Sequence, residues 1–152
     1  MPYIKVYLHF VWSTKHRFPF LETPEIRKTL WKHIYHYGKN KNLFIDMVNG
    51  YKEHCHCLVS LGVDQTIKQV IQLIKGESSH WLNHNHEGIS LKKKFGWQME
   101  YFVASVSESQ IEKVRSYIKK QEEHHMTKSY EEEYREFSKL HGFRVLRNGK
   151  LR

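Results

Sequence analysis

Glu53-His54-Cys55-His56-Cys57-Leu58-Val59-Ser60-Leu61 is the stretch on which the fold turns. Apolar and β-branched residues fill its second half and nothing in it repeats at helical spacing, so it reads as a strand. Successive strand side chains point to opposite faces. His54 and His56 therefore share one face, and Cys55, Cys57, Val59 and Leu61 share the other, which reads as core. Two imidazoles side by side offer two ligands to one metal ion. The plainer alternative is a pair of surface histidines in a chain that holds 12 of them. A structural zinc site of His54, Cys55, His56 and Cys57 conflicts with the alternation, which sends histidines and cysteines to opposite sides.

On the N-terminal side, Leu43 to Val48 reads as a strand and Asn49-Gly50 as a turn into the histidine strand, with the hairpin register open. Tyr3 to Trp12 alternates as a half-buried strand. Ile4, Val6, Leu8, Phe10 and Trp12 face one way, Lys5, Tyr7, His9 and Val11 the other. Thr23-Pro24-Glu25 starts a helix through Ile26, Leu30, Ile34 and Tyr37, with Gly38 as its stop. On the C-terminal side, Asp64 can cap a helix with Ile67, Val70, Ile71 and Ile74 on its buried stripe. Asn83 to Gly96 reads as an exposed loop and Trp97 to Val106 as a strand. Ser107-Glu108-Ser109-Gln110 has the form of a capping box. The helix it opens carries Ile111, Val114 and Ile118 on its stripe, Tyr117 at the flank and Gln121 one turn beyond. Tyr130 to Leu140 reads as a last, highly charged helix, followed by a basic tail from about residue 141.

The order β-α-β-β-α-β-α-α with short connections predicts one α+β domain over residues 1–152. It would be an antiparallel sheet with helices packed on one face, a ferredoxin- or RRM-like palm whose open face carries His54 and His56.

Lys and Arg number 25 against 16 Asp and Glu, a formal charge of +9. That excess favours a polyanionic partner, most simply nucleic acid. Lys15, Arg17, Lys92, Lys93, Lys94 and Arg115 are candidates for phosphate contacts. No apolar run reaches the ~18 residues of a membrane span and no signal-peptide pattern opens the chain, so no membrane partner is expected. Cys55 and Cys57, two apart on one strand, are poorly placed for a disulfide, which fits a reducing cytoplasm.

A tyrosine phenol can attack a phosphodiester when a metal polarises the phosphate, and the covalent phosphotyrosine conserves the bond for rejoining. His54 and His56 supply two ligands for such a metal, and Gln121 could add a third through its amide oxygen. Phosphate oxygens would complete the shell of Mg²⁺ or Mn²⁺.

His54-Cys55-His56 on a strand, with Tyr117-Ile118-Lys119-Lys120-Gln121 downstream on a helix, resembles the HUH-superfamily single-tyrosine transposases. These are the enzymes of the smallest bacterial and archaeal insertion sequences and their REP-associated relatives. Further matching stretches are Val11-Trp12-Ser13-Thr14-Lys15 with Arg17, Lys75-Gly76 with Ser78-Ser79, Trp97-Gln98 and Ser105-Val106-Ser107. The resemblance implies a homodimer that cuts and rejoins single-stranded DNA at the hairpin ends of a mobile element. It also implies Tyr117 as nucleophile forming a 5′-phosphotyrosine link, with His54, His56 and Gln121 as metal ligands. The tyrosine helix could serve its own or the partner's site. Two departures stand out: Glu53, where the family more often has Asp, and Cys55 and Cys57, where larger aliphatics are usual. Neither removes a catalytic group.

Two rivals use the same features differently. An RRM-like module that binds single strands without cutting would carry aromatics where the histidines stand. A related HUH endonuclease would use the same residues on other DNA.

Overall fold

The computed structural model describes residues 2–84, 93–127 and 130–143. Strands β1 (Tyr7–Ser13), β2 (Phe44–Gly50), β3 (His54–Ser60) and β4 (Phe102–Val106) form one antiparallel sheet in the order β2-β3-β1-β4. Helices α1 (Pro24–Asn40), α2 (Ile67–His84), α3 (Ile111–Lys119), α4 (Gln121–Thr127) and α5 (Tyr130–His141), with 3₁₀ turns at Lys15–Arg17 and Glu108–Gln110, complete the described elements. The α+β fold with an antiparallel sheet is as the sequence predicts.

The alternation of β1 and β3 divides the interior into two cores. Leu8, Phe10, Trp12, Cys55, Cys57 and Val59 face Leu30, Trp31 and Ile34 of α1 and Val70, Ile71, Ile74 and Leu82 of α2. On the other face, Leu58 and Val106 meet Ile111, Val114 and Ile118 of α3, with Leu140 of α5 against them. This second core changes the expected picture. The face of His54 and His56 is not open: α3 and α5 cover it, and both histidines are buried. The reason lies in Tyr7, Leu58 and Val106, which give that face an apolar end that solvent cannot satisfy.

Several local expectations also shift. Asn49-Gly50 is not the turn: Asn49 pairs with His56 and Gly50 with Cys55, so the chain reverses at Tyr51–Glu53, closed by Tyr51 N–H donating to the His54 carbonyl. Gly50 is needed there because a Cβ would collide with that carbonyl. A one-residue shift between Ile45 and Met47 leaves Asp46 as a bulge. The bulge changes the phase of the strand, so Ile45 and Val48 face the first core while Met47 joins the second.

Gly38 does not stop α1. It lies buried inside the helix against Ile45, where a side chain would clash, and the helix ends at Asn40 before Asn42 turns left-handed (φ 57°). Thr66 rather than Asp64 caps α2, through reciprocal bonds with Gln69. Ser107 makes no side-chain cap; the segment Glu108–Gln110 is a turn of 3₁₀ helix leading into α3. Strand pairing begins at Tyr7 and, on β4, at Phe102; Trp97 makes only an isolated bridge to Thr14. The loop expected at Asn83 to Gly96 is described only at its two ends, and the tail beyond Phe143 lies outside the described residues.

Candidate metal and tyrosine centre

Because β3 alternates, His54 and His56 arrive on the same face. The Nε2 atoms of both meet one carboxylate oxygen: Glu133 Oε1 of α5 is 3.5 Å from His54 and 3.2 Å from His56. His54 Nε2 also donates to Gln121 Oε1 at 3.1 Å. Among the described residues, His54, His56 and Glu133 form the one group whose potential ligand atoms lie close enough, within 4.8 Å of one another, to hold an ion. Gln121 is fully buried and offers its amide oxygen as a fourth ligand atom beside them. Two imidazole nitrogens with two oxygens make a donor set that a divalent cation could occupy.

Tyr117 stands at the edge of this group. Its hydroxyl donates to Glu133 Oε1 at 3.3 Å, and its ring centroid is 5.6 Å from that of His56. Two ties hold its helix to the sheet. The guanidinium of Arg115 grips the bulged Asp46 at 2.9 and 2.7 Å, and Asn49 Nδ2 donates to the Ile118 carbonyl at 2.9 Å. The second tie satisfies a terminal carbonyl that α3 would otherwise leave open. The chain kinks at Lys120, and α4 then restarts at Gln121. Arg27, buried in α1, anchors α4 by donating to Glu122 Oε1 at 2.9 Å. Tyr51 stacks on His125 at 4.9 Å and 14°.

Each histidine has a different outer partner. His54 Nδ1 donates to Glu53 Oε1 at 2.8 Å. His56 Nδ1 faces His9 Nε2 at 2.9 Å, and His9 Nδ1 faces His141 Nε2 at 2.7 Å. These environments separate the two groups. Burial opposes charge on His54, but hydrogen bonds to Glu133 and Glu53 outweigh it and raise its pKa to about 9. Burial, reinforced by the charge on His54, pushes His56 down to about 4 against the pull of Glu133. Glu133 is buried too, yet its bonds from His125, His54 and His56 hold it far below the usual carboxylate range. Burial and the charge of Glu133 together push the Tyr117 phenol well above its ordinary value.

The basic residues divide. Arg17 lines a cavity of about 290 Å³ that opens onto His54, His56 and Glu133, walled by Trp12, Phe102, Tyr134 and Phe137. Lys15 is exposed next to it, its N–H donating to the Gly96 carbonyl. Lys93 Nζ sits 3.8 Å over the Phe18 ring, and Lys94 is exposed. Arg115 is instead engaged by Asp46 and Glu112 on the far side of α3. Lys92 lies outside the described residues.

The sequence reading missed Glu133, His9 and His141. Glu133 ends a run of three glutamates, which resembles a solvated helix face. His9 was legible as a neighbour of Tyr7 and Val11 on one face, but its meeting with His56 depends on the β1–β3 pairing.

A family model described as "Transposase IS200 like" matches residues 3–121. The chain belongs to this family. The matched span contains the histidine pair, Tyr117 and Gln121, and stops short of Glu133. Among solved structures, this transposase is similar to a protein of Deinococcus radiodurans R1 assigned as a transposase, with 22% identity and a TM-score of 0.58 over 79% of this chain and 93% of that one. It is also similar to a REP-associated tyrosine transposase bound to a REP hairpin, with 19% identity and a TM-score of 0.52 over 80% and 67%. At that identity the likeness is one of fold. No curated protein matches significantly. No helix among the described residues is long and apolar enough to cross a membrane.

Proposed function

We propose that this transposase cleaves and rejoins single-stranded DNA at hairpin ends of a mobile element, with Tyr117 as nucleophile and a 5′-phosphotyrosine intermediate. The observation that carries this reading is the convergence of Tyr117, His54 and His56 on one oxygen of Glu133. A nucleophile and a ligand set share a single point. The ligands are His54 and His56, with Glu133 and Gln121 as the oxygen donors, for Mg²⁺ or Mn²⁺. When bound there, the cation would polarise the scissile phosphate and favour the ionised phenol.

The chain's own residues do the rest. Glu133 accepts the hydrogen bond of the phenol and so aims the hydroxyl. Asp46 and Asn49, through α3, hold Tyr117 beside the histidines of its own chain, which favours cleavage in cis within the homodimer proposed from the resemblance. The cavity beside the histidines takes the nucleotide at the break, with Arg17 on its wall, while Lys15, Lys93 and Lys94 steer the backbone. The hairpin substrate is supported by the fold shared with the REP-bound relative.

The test is covalent trapping. Labelled single strands from the DNA flanking the gene are incubated with protein and Mn²⁺ or Mg²⁺ and run on a denaturing gel. A metal-dependent adduct is expected from the wild type and none from Tyr117→Phe or His56→Ala. An adduct that survives Tyr117→Phe overturns the nucleophile, and tight hairpin binding without any adduct favours a non-cutting binding module.

A further inference from the structure

We propose that His9 is a positioning residue for the metal site, setting the ring tautomer of His56 through an imidazole chain anchored by His141. The proposal rests on the metal reading given above. His9 is completely buried at the centre of β1, opposite Leu58, and both its nitrogens are used: Nε2 toward His56 and Nδ1 toward His141. Its ring is boxed in by Phe137 at 5.2 Å and by Tyr117 at 6.2 Å, so it has no freedom to turn away. A buried imidazole costs desolvation that an apolar side chain in the same place would not, which points to a use beyond packing.

A neutral imidazole has one donor nitrogen and one acceptor. For His56 Nε2 to offer its lone pair to a cation, the ring proton must sit on Nδ1 and needs an acceptor. His9 Nε2, 2.9 Å away, is that acceptor. His9 then carries its own proton on Nδ1, and His141 Nε2 receives it at 2.7 Å. Without a cation, the chain runs in the opposite sense: His141 donates to His9, His9 to His56, and His56 Nε2 to Glu133. Both directions satisfy both nitrogens of His9 and the Nδ1 of His56, so His56 can change role without stranding either buried ring. His54 is served differently, by the Glu53 carboxylate, which accepts in either state. The two ligand histidines are thus oriented by partners of different chemistry, one anionic and one neutral.

Outer partners of metal-bound histidines contribute roughly 10–100-fold to affinity. Mn²⁺ titration by calorimetry, with thermal melts to check folding, would compare wild type, His54→Ala, His9→Phe, His9→Gln and His141→Ala. His9→Phe should weaken Mn²⁺ about 10–100-fold. His9→Gln should recover most of the loss, because its amide oxygen can accept from His56 Nδ1. Nitrogen NMR of Mg²⁺-loaded protein should place the His56 proton on Nδ1 in the wild type. If His9→Phe does not fold, His141→Ala carries the test, with a several-fold weakening expected. Unchanged affinity in a folded His9→Phe, or Gln no better than Phe, overturns the positioning role while leaving the metal site intact. Wild type that binds Mn²⁺ no better than His54→Ala overturns both.

Discussion

Raising the pH should tighten metal binding by a calculable amount. Without a cation His54 holds its proton up to about pH 9, because Glu133 and Glu53 reward the charge more than burial penalises it. A cation needs the lone pair on Nε2, so binding must expel that proton. At pH 7, two units below, roughly one His54 in a hundred is neutral, and the apparent affinity falls about 100-fold, or about 3 kcal/mol. His56, down at about 4, is already neutral there and adds nothing. Mn²⁺ affinity should therefore rise about tenfold per pH unit from 6.5 and level off above 9. Calorimetry in buffers of different ionisation enthalpy should show about one proton released per ion near pH 7. Glu53→Gln removes one of the groups that hold the proton, so its levelling point should move to lower pH. An affinity that stays flat between pH 6.5 and 8.5, or binding without proton release, would refute the reasoning.

Stability of the metal-free protein should run the opposite way. The raised His54 pKa stabilises the fold fully below 6.5 and loses that contribution as pH rises through about 9, so the melting temperature should fall between pH 7 and 9.5. Gly50→Ala drives a Cβ into the His54 carbonyl. It should cost about 1–3 kcal/mol, read as a drop of several degrees in melting temperature. Asn49→Ala frees the Ile118 and Lys119 carbonyls at the end of α3. It should cost about 1–2 kcal/mol and reduce adduct formation in the trapping assay more than hairpin binding. Cys55 and Cys57 are fully buried with thiol pKa values pushed up by that burial, so a thiol reagent should leave both unmodified until denaturant is added.

What the sequence could show followed the range of its signals. Strand alternation is local, so the shared face of His54 and His56 and the apolar one of Cys55 and Cys57 were legible without any structure. Helix stripes are local as well, which put Tyr117 on a flank and Gln121 one turn away. The face left open in that reading is closed by α3 and α5, because Leu58 and Val106 belong to an apolar patch that only pairing across the sheet assembles. Glu133 and His141 reach the centre from a helix whose composition reads as solvent-facing. Asn49-Gly50 misled for a related reason: a turn dipeptide is a statement about backbone preference, and the ladder to β3 together with the bulge at Asp46 overrode it.

His9 and His141, joined by a hydrogen bond, lie 132 residues apart. A ribosome delivers residues in order, so the family-matched span 3–121, with His54, His56, Tyr117 and Gln121, emerges before Glu133 and His141 exist. During synthesis the ligand histidines thus spend time without their carboxylate neighbour and without the helix that covers them. α5 can dock only once it has been made, so the centre acquires its buried, carboxylate-lined form after its histidines, tyrosine and glutamine are already in place along the chain.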